Sequence, residues 1–357
     1  MGLFIIKRLI YGSGVLLGVA TLVFFLFNIL PGDPARMMLG QRADIASIEA
    51  INKELGRDKP LYIQYLSYLY DLSPIGIKEN SEKEAIHERY HNSIAVSPNI
   101  FNHQLVLKEP YMRRSFQSNR AVTSMIMEAF PKTLILAATS MGFALIVGVL
   151  LGMITIVYPN KILNSVIMGL NVFGMSLPSF FASILMAWLF AFVLADYTGL
   201  NLFGSLYEVD ELGNGKYISL KNLILPALTL GIRPLAIITE LTSTSLKDVL
   251  SKDYIRTARA KGLSEWQILY KHALKNALNP IITTISGWFA SLLAGAVFVE
   301  YVFDWKGMGL VIVDSLEKYD FPVLMGSVLF IAILLIIVGI LVDILYRIID
   351  PRVKLEA

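Results

Sequence analysis

The sequence contains no cysteine. Disulfides, thiolate catalysis and cysteine-based metal sites are thereby excluded, and redox chemistry says nothing of compartment. Charge is scarce as well: Asp, Glu, Lys and Arg make up 17% of the 357 residues, against ~25% in ordinary soluble domains. So few charged groups cannot cover a large water-facing surface. The net charge is only +3. Its basic residues gather beside apolar runs instead of forming one groove-sized surface, which argues against a nucleic-acid partner. A phosphate-binding loop is also missing. GNGK (Gly213–Lys216) comes nearest, but Asp210 holds the first glycine position of GxxxxGK[ST] and Tyr217 follows the lysine. The chain itself is therefore not expected to hydrolyse ATP. Internal repeats and low-complexity tracts are absent too.

What is abundant is apolar sequence: 55% of residues are hydrophobic and the mean hydropathy is +0.61. A membrane-spanning helix needs ~20 mostly apolar residues. Six stretches meet that length: Leu9–Leu30, Leu134–Val157, Val166–Leu194, Leu223–Leu241, Ile281–Val299 and Val323–Leu345. The first is too long, and lacks the small-residue cleavage site, for a removable signal; it reads as a retained anchor. Orientation follows from Lys and Arg. Lys7 and Arg8 precede the first span, and Arg347, Arg352 and Lys354 follow the last. Between them, Lys247 to Lys275 holds seven basic residues against three acidic ones. With six spans all three regions fall on one side, the cytoplasm, and both termini are inside. The expected fold class is an all-α membrane protein, divided into an N-terminal tip and span (1–30), an extracytoplasmic insert (31–130), a five-span core (131–350) and a cytoplasmic tail (351–357).

In the insert, Ala43–Leu55 and Pro60–Leu72 have helical spacing, while residues 73–120 read as polar and irregular. His87-Glu88-Arg89-Tyr90-His91 matches HExxH, the zinc-protease pattern. It lies in polar sequence without the apolar helix that normally carries the motif, and His103 and Glu109 are poor candidates for a third ligand. The reading is a solvated segment, with no metal. The third external loop, Tyr301–Pro322, is amphipathic enough for a short surface helix. Glu300 and Asp343, at span ends, read as water-accessible.

The most informative stretch is 253–278, DYIRTARAKGLSEWQILYKHALKNAL. Gly262 adopts positive φ at little cost and suits the position just past a helix end. Ser264 with Gln267 three residues on forms a capping box, which starts a second helix. Along it Trp266, Leu269, Ala273 and Ala277 share one face, and Lys271 and Lys275 another. A polar helix–Gly–helix elbow between two spans has no use in holding lipid; it projects into the cytoplasm. Its basic residues alone would equally serve positive-inside bias and anionic headgroups.

RTARAKGLSE followed by YKHALKNAL resembles the EAA loop of type I ABC importer permeases, in the form found in oligopeptide and dipeptide permeases. LPGDPA (Leu30–Ala35), LILPALTLG (Leu223–Gly231) and YRIIDPRV (Tyr346–Val353) resemble the same subfamily in the same order. The chain departs from the wider pattern at Arg256-Thr257-Ala258, where Glu-Ala-Ala is usual, at Lys261, where Asp is usual, and at Leu274-Lys275, where the loop closes on Leu-Pro. The long insert after PGDP is less well matched. The resemblance implies that Arg256, Thr257, Ala258, Arg259, Ala260, Lys261, Gly262, Leu263, Ser264, Glu265 and His272 form a coupling loop gripped by a separate ATPase. It further implies no cofactor in this chain, ATP and Mg being held by two cytoplasmic ABC ATPase subunits. A second homologous permease subunit, an extracytoplasmic peptide-binding protein, a peptide substrate and a bacterial or archaeal cytoplasmic membrane complete the implied setting.

Ionisable groups inside spans cost roughly 2.5–3.5 kcal/mol on insertion scales, so each is a candidate for function. Arg233 beside Pro234 reads as facing the bundle interior, toward a peptide carboxylate or Glu240, or else as a structural cation held by backbone carbonyls. Ser286 and Ser291 suit a wet, unselective lining, and Pro178 should kink the third span. Two alternatives stay open. The same permease type carries nickel, glutathione or haem, and a secondary transporter would need paired inverted repeats, of which the sequence offers no second half.

Overall fold

The computed structural model describes residues 2–29, 52, 58–79, 93–96, 103–210 and 215–349. The HExxH segment, Ala43–Leu55 apart from Asn52, and the 351–357 tail lie outside the described residues. Helices dominate: α1 (Gly2–Ile29), α2 (Leu61–Leu72), α3 (Val122–Val157), α4 (Lys161–Ser176), α5 (Ser179–Met186), α6 (Lys221–Leu250), α7 (Asp253–Ala260), α8 (Leu274–Gly295), α9 (Val297–Val302), α10 (Met308–Glu317) and α11 (Phe321–Ile349). Among the described residues, four helical stretches are long and apolar enough to cross a membrane: Ile6–Phe27, α3, α6 and Phe321–Ile344.

The third expected span is not one helix. α4 and the run Ser179–Val193 pass the length test only together, bent by 114° at the break. Proline disfavours helical geometry in the residue before it, and Leu177 is extended accordingly, with φ −73° and ψ 129°. Pro178 thus breaks the span instead of bending it. The fifth expected span is also shorter than its apolar run: Pro280–Leu293 is the apolar helix there, and α9 is a separate helix.

The chain forms two compact units. One combines residues 6–127 with 311–333. Here Phe24 of α1 packs on Tyr65 and Tyr68 of α2, at centroid distances of 5.2 and 5.4 Å. Thr21 and Tyr65 share a 2.7 Å hydrogen bond. Strands β1 (Ile75–Glu79), β2 (Ile94–Ala95) and β3 (His103–Leu107) form an antiparallel sheet in the order β1-β3-β2. Ile75 faces Leu107 and Ile77 faces Leu105. This corrects the irregular reading of 73–120. The period-2 alternation Ile75, Ile77 and Leu105, Leu107 was present, but the strands are short and widely separated in sequence. Asp71, fully buried, receives the Arg113 guanidinium at 3.1 Å.

The second unit, centred on residues 128–310, holds the bundle core. α3 crosses α6 closely. A Cβ added at Gly152 would lie 2.5 Å from the Thr242 Cβ, and one at Gly148 2.9 Å from the Ile238 Cγ2. Small residues let backbones approach where lipid supplies no hydrophobic drive between helices. Hydroxyls complete the seam: Thr155 Oγ1 donates to Ser243 Oγ at 2.9 Å, and Thr242 bonds back to the Ile238 carbonyl at 2.6 Å. The hydroxyls of this seam are thereby satisfied internally, as the bilayer requires. The hairpin of β4 (Tyr207–Val209) and β5 (Lys216–Ile218) precedes α6.

Glu300, expected to be water-accessible, is fully buried. Thr133 Oγ1 donates to its Oε1 and the Gly309 N–H to its Oε2, each at 2.6 Å, and the Leu310 N–H adds a third donor. The Met308 N–H donates to Thr133 Oγ1 at 2.8 Å, and the buried Trp305 indole donates to the Lys132 carbonyl at 3.1 Å. The loop between α9 and α10 is thus stitched to the head of α3. Gly307 and Gly309 make this possible, because a Cβ at either would meet the Glu300 carboxylate. Sequence reasoning placed Glu300 by its distance from the span and had no view of the glycine backbone folding over it. The expected surface helix appears as α10.

Two outcomes test this packing. Gly152→Ala should destabilise the purified protein by about 1–3 kcal/mol through overpacking, while Gly142→Ala, where a Cβ meets nothing within 4 Å, should not; equal losses in thermal melts contradict the seam. Burial pushes the Glu300 carboxyl from 4.5 up to about 7, against its three donors. The folded state then holds this proton more tightly than the unfolded chain. Its stabilising contribution is full below the unfolded pKa of 4.5 and is lost as pH rises through about 7. Glu300→Gln should flatten that limb of the melting temperature against pH; an unchanged slope refutes the assignment.

Candidate coupling elbow and translocation path

Between α6 and α8 the chain makes the turn read from the sequence. α7 starts after Lys252, which is extended and gives no side-chain cap. It closes with Gly262 donating to the Arg259 carbonyl at 2.9 Å and Leu263 to that of Ala258 at 3.4 Å. Gly262 has φ +76°, and a Cβ there would meet nothing within 4 Å. The glycine is required by backbone conformation and not by space; a left-handed L-residue costs roughly 1–2 kcal/mol. Ser264 then caps the next turn. The Gln267 N–H donates to Ser264 Oγ at 3.4 Å, and the Ser264 N–H to Gln267 Oε1 at 3.1 Å. Both halves of the capping box are formed.

The helix from Glu265 does not run directly into α8. A π-helical stretch, Ile268–Ala273, intervenes. Such wide turns insert residues into the 3.6 period and recur at functional sites. Its consequence is a correction: Leu269, Ala273 and Ala277 are buried together, but Trp266 is 52% exposed. The widened turn rotates the capped first turn away from the face that follows it. Lys271 and Lys275 are exposed, as expected.

One side of the elbow is apolar and anchored. Ile255 and Ala258 of α7 pack with Ile268, Leu269, Ala273 and Ala277 against Met153 of α3 and Leu246 of α6. Leu263 leans on the same cluster. The other side is presented to solvent: Tyr254, Arg256, Thr257, Ala260, Lys261, Glu265, Trp266 and Tyr270 are exposed. A bidentate bridge spans the glycine, Arg259 Nε to Glu265 Oε1 at 2.9 Å and Arg259 Nη2 to Oε2 at 3.2 Å. The Arg259 hydrogen bond holds the Glu265 carboxyl below its usual range and raises Arg259 in turn. His272 is half-buried, its carbonyl accepting from Asn276 at 3.4 Å. Of the residues expected to form the coupling loop, Ala258 faces inward as part of the anchor. Tyr254 and Tyr270 were not singled out from sequence, because an aromatic at a helical position reads as core until its neighbours are known.

The residues expected to line a path are scattered. Arg233 Nη2 donates to the Leu177 carbonyl at 3.1 Å, the group left without a helical partner at the break before Pro178. Arg233 thus meets one backbone carbonyl, while its side chain stays exposed. Glu240 is exposed on the same helix, seven residues and ~10.5 Å along the axis from Arg233, too far for a direct ion pair. Ser291 is exposed on α8; Ser286 lies in α8 with its side chain outside the described residues.

The elbow should be held by its apolar side. Ile255→Ala is expected to cost about 2–5 kcal/mol, and Arg259→Ala, which breaks an exposed bridge, about 1 kcal/mol or less. Chemical denaturation of both variants checks the order; the reverse ranking contradicts the anchoring.

Comparison with known proteins identifies the family. The model of the binding-protein-dependent transport system inner membrane component matches residues 144–355, and its N-terminal companion matches residues 1–85. The glutathione transport system permease protein GsiC of Escherichia coli (strain K12) is 34% identical over 351 residues, covering 98% of both chains. A Brucella suis protein provisionally named a peptide permease is 33% identical over 353 residues, with 98% of both chains covered. In structure, the inward-facing MetNI methionine ABC transporter aligns with a TM-score of 0.51 at 16% identity, covering 64% of this chain and 97% of that one; at that identity the likeness concerns the fold alone. The chain belongs to the family of binding-protein-dependent transport system inner membrane components, the multi-pass permeases of ABC importers of the peptide and glutathione type, which reside in the bacterial inner membrane.

Proposed function

We propose that this chain is one of two homologous permease subunits that import short peptides by alternating access, driven by two separate cytoplasmic ATPases that hold ATP and Mg. The chain crosses the membrane six times with both termini inside. α4 with α5 forms one broken crossing, and the helix around Pro280–Leu293 forms another. An extracytoplasmic peptide-binding protein delivers the cargo to the outer loops. Relatives named for glutathione and for peptides support cargo of this size, since glutathione is itself a tripeptide.

The observation that carries the reading is the two-sided elbow. Its apolar side is packed against the inner ends of α3 and α6, so a push on the exposed side moves spans directly. Arg256, Thr257, Ala260, Lys261 and Glu265, with Tyr254, Trp266 and Tyr270, are the surface that an ATPase cleft grips. Gly262 sets the angle between the two halves.

A tagged chain purified in mild detergent should bring down an ATPase and a second permease. Gly262→Pro, which forbids φ +76°, should abolish ATP-driven peptide uptake in vesicles while the chain remains inserted. An inserted variant with intact uptake, or a wild-type preparation free of ATPase, overturns the proposal.

A further inference from the structure

One face of α6 carries a polar stripe that coupling does not use. Arg233, Glu240, Thr244 and Lys247 fall at intervals of seven, four and three residues, which places them in line along the helix. All four are exposed, whereas half of α6 is buried. The same line continues toward the outer end through Thr229, Pro226 and Asn222, and there every position is buried. The stripe is therefore covered by the chain's own packing above Arg233 and open below it, toward the elbow.

This face does not meet lipid. An arginine and a glutamate on one mid-membrane surface would each cost roughly 2.5–3.5 kcal/mol in hydrocarbon. Among the described residues Glu240 makes no hydrogen bond or ion pair. Arg233 spends one donor on the Leu177 carbonyl and has no acidic partner, leaving most of the guanidinium's five donors available. Opposite charges thus stand ~10.5 Å apart along the axis, with the half-buried Ile237 between them. An extended peptide advances ~3.3–3.6 Å per residue, so about three residues fill that interval.

We infer that this stripe is the track on which a short zwitterionic peptide lies, its terminal carboxylate on Arg233 and its terminal ammonium on Glu240. Reading the two termini and leaving the side chains over Ile237 lets one path accept many sequences. The hydrogen bond to Leu177 holds the guanidinium against the break between α4 and α5, so Arg233 is presented in one orientation. A helix–helix interface with the homologous subunit is the competing use of such a face, since Arg233 of one chain would meet an acidic group of the other across a near-twofold axis. The cover over the outer half favours the ligand, because a subunit interface has no reason to end at Arg233.

The inference rests on the peptide-cargo reading, and its test separates the two. The complete importer with its binding protein is placed in proteoliposomes and given trialanine for uptake. In parallel it is given a tripeptide with free termini and a central benzophenone residue for photolabelling during ATP turnover. We expect the label on α6 between residues 233 and 244. Arg233→Gln and Glu240→Gln should each reduce labelling and uptake about tenfold or more, the size of one charged hydrogen bond. Both variants should still co-purify with the second permease. Label confined to other segments, or variants labelled at the wild-type level, overturns the track. Loss of the second permease from either variant assigns the face to subunit contact and equally overturns it. If wild-type vesicles import no trialanine at all, the cargo reading is what fails.

Discussion

The elbow and the helix ends around it depend on a small apolar contact: Ile255, Ala258, Ile268, Leu269, Ala273 and Ala277 seated against Met153 and Leu246. A polar elbow at the end of a span would otherwise be a tethered appendage, free to yield when pushed. Seated on the ends of α3 and α6, it becomes part of the same rigid body as the helices above it. The contact is non-directional and close-packed, and packed interiors transmit displacement instead of absorbing it. Under the proposed function, this seating is what would carry a push on the elbow into α3 and α6.

The same body continues upward through a seam built for close approach. Gly148 and Gly152 bring α3 against α6, and hydroxyl-to-hydroxyl and hydroxyl-to-carbonyl bonds satisfy the polar groups inside it. At the far end, the buried carboxylate of Glu300 ties the loop before α10 to the head of α3. α3 therefore carries two attachments, the elbow at Met153 and the Glu300 knot at Lys132 and Thr133. The broken pair α4 and α5 packs on α6, where a Cβ on Gly174 would lie 2.6 Å from Ile232 Cγ2, and Arg233 of α6 donates to the Leu177 carbonyl at the break.

Much of this was legible in the sequence, for physical reasons that also mark where legibility ended. Gly262, Ser264 and Gln267 announce the elbow because positive φ and reciprocal capping are local properties of three or four residues. Apolar run length located the spans. It could not distinguish a kink from a break at Pro178, since 114° depends on what α6 offers the freed carbonyl. Trp266 was placed on the wrong face because a π turn leaves no mark in a 3.6-residue pattern. The sheet of Ile75–Glu79 with His103–Leu107 escaped notice because its pairing spans almost thirty residues of sequence and a long polar connection. Glu300 was misplaced most instructively: its burial comes from two glycines seven and nine residues further on, whose role is the absence of a Cβ.

On the proposed function, the exposed side of the elbow, and not its anchored side, engages the motor. The chain has no cysteine, so single cysteines can be introduced against a silent background. One at Lys261 or Trp266, on the exposed side, and one at Ala258, on the anchored side, would each carry a short benzophenone crosslinker in membranes containing the whole importer. The account predicts ATPase capture from 261 and 266 and none from 258. Capture from 258 alone, or none from any position while ATP-driven uptake proceeds, would contradict it.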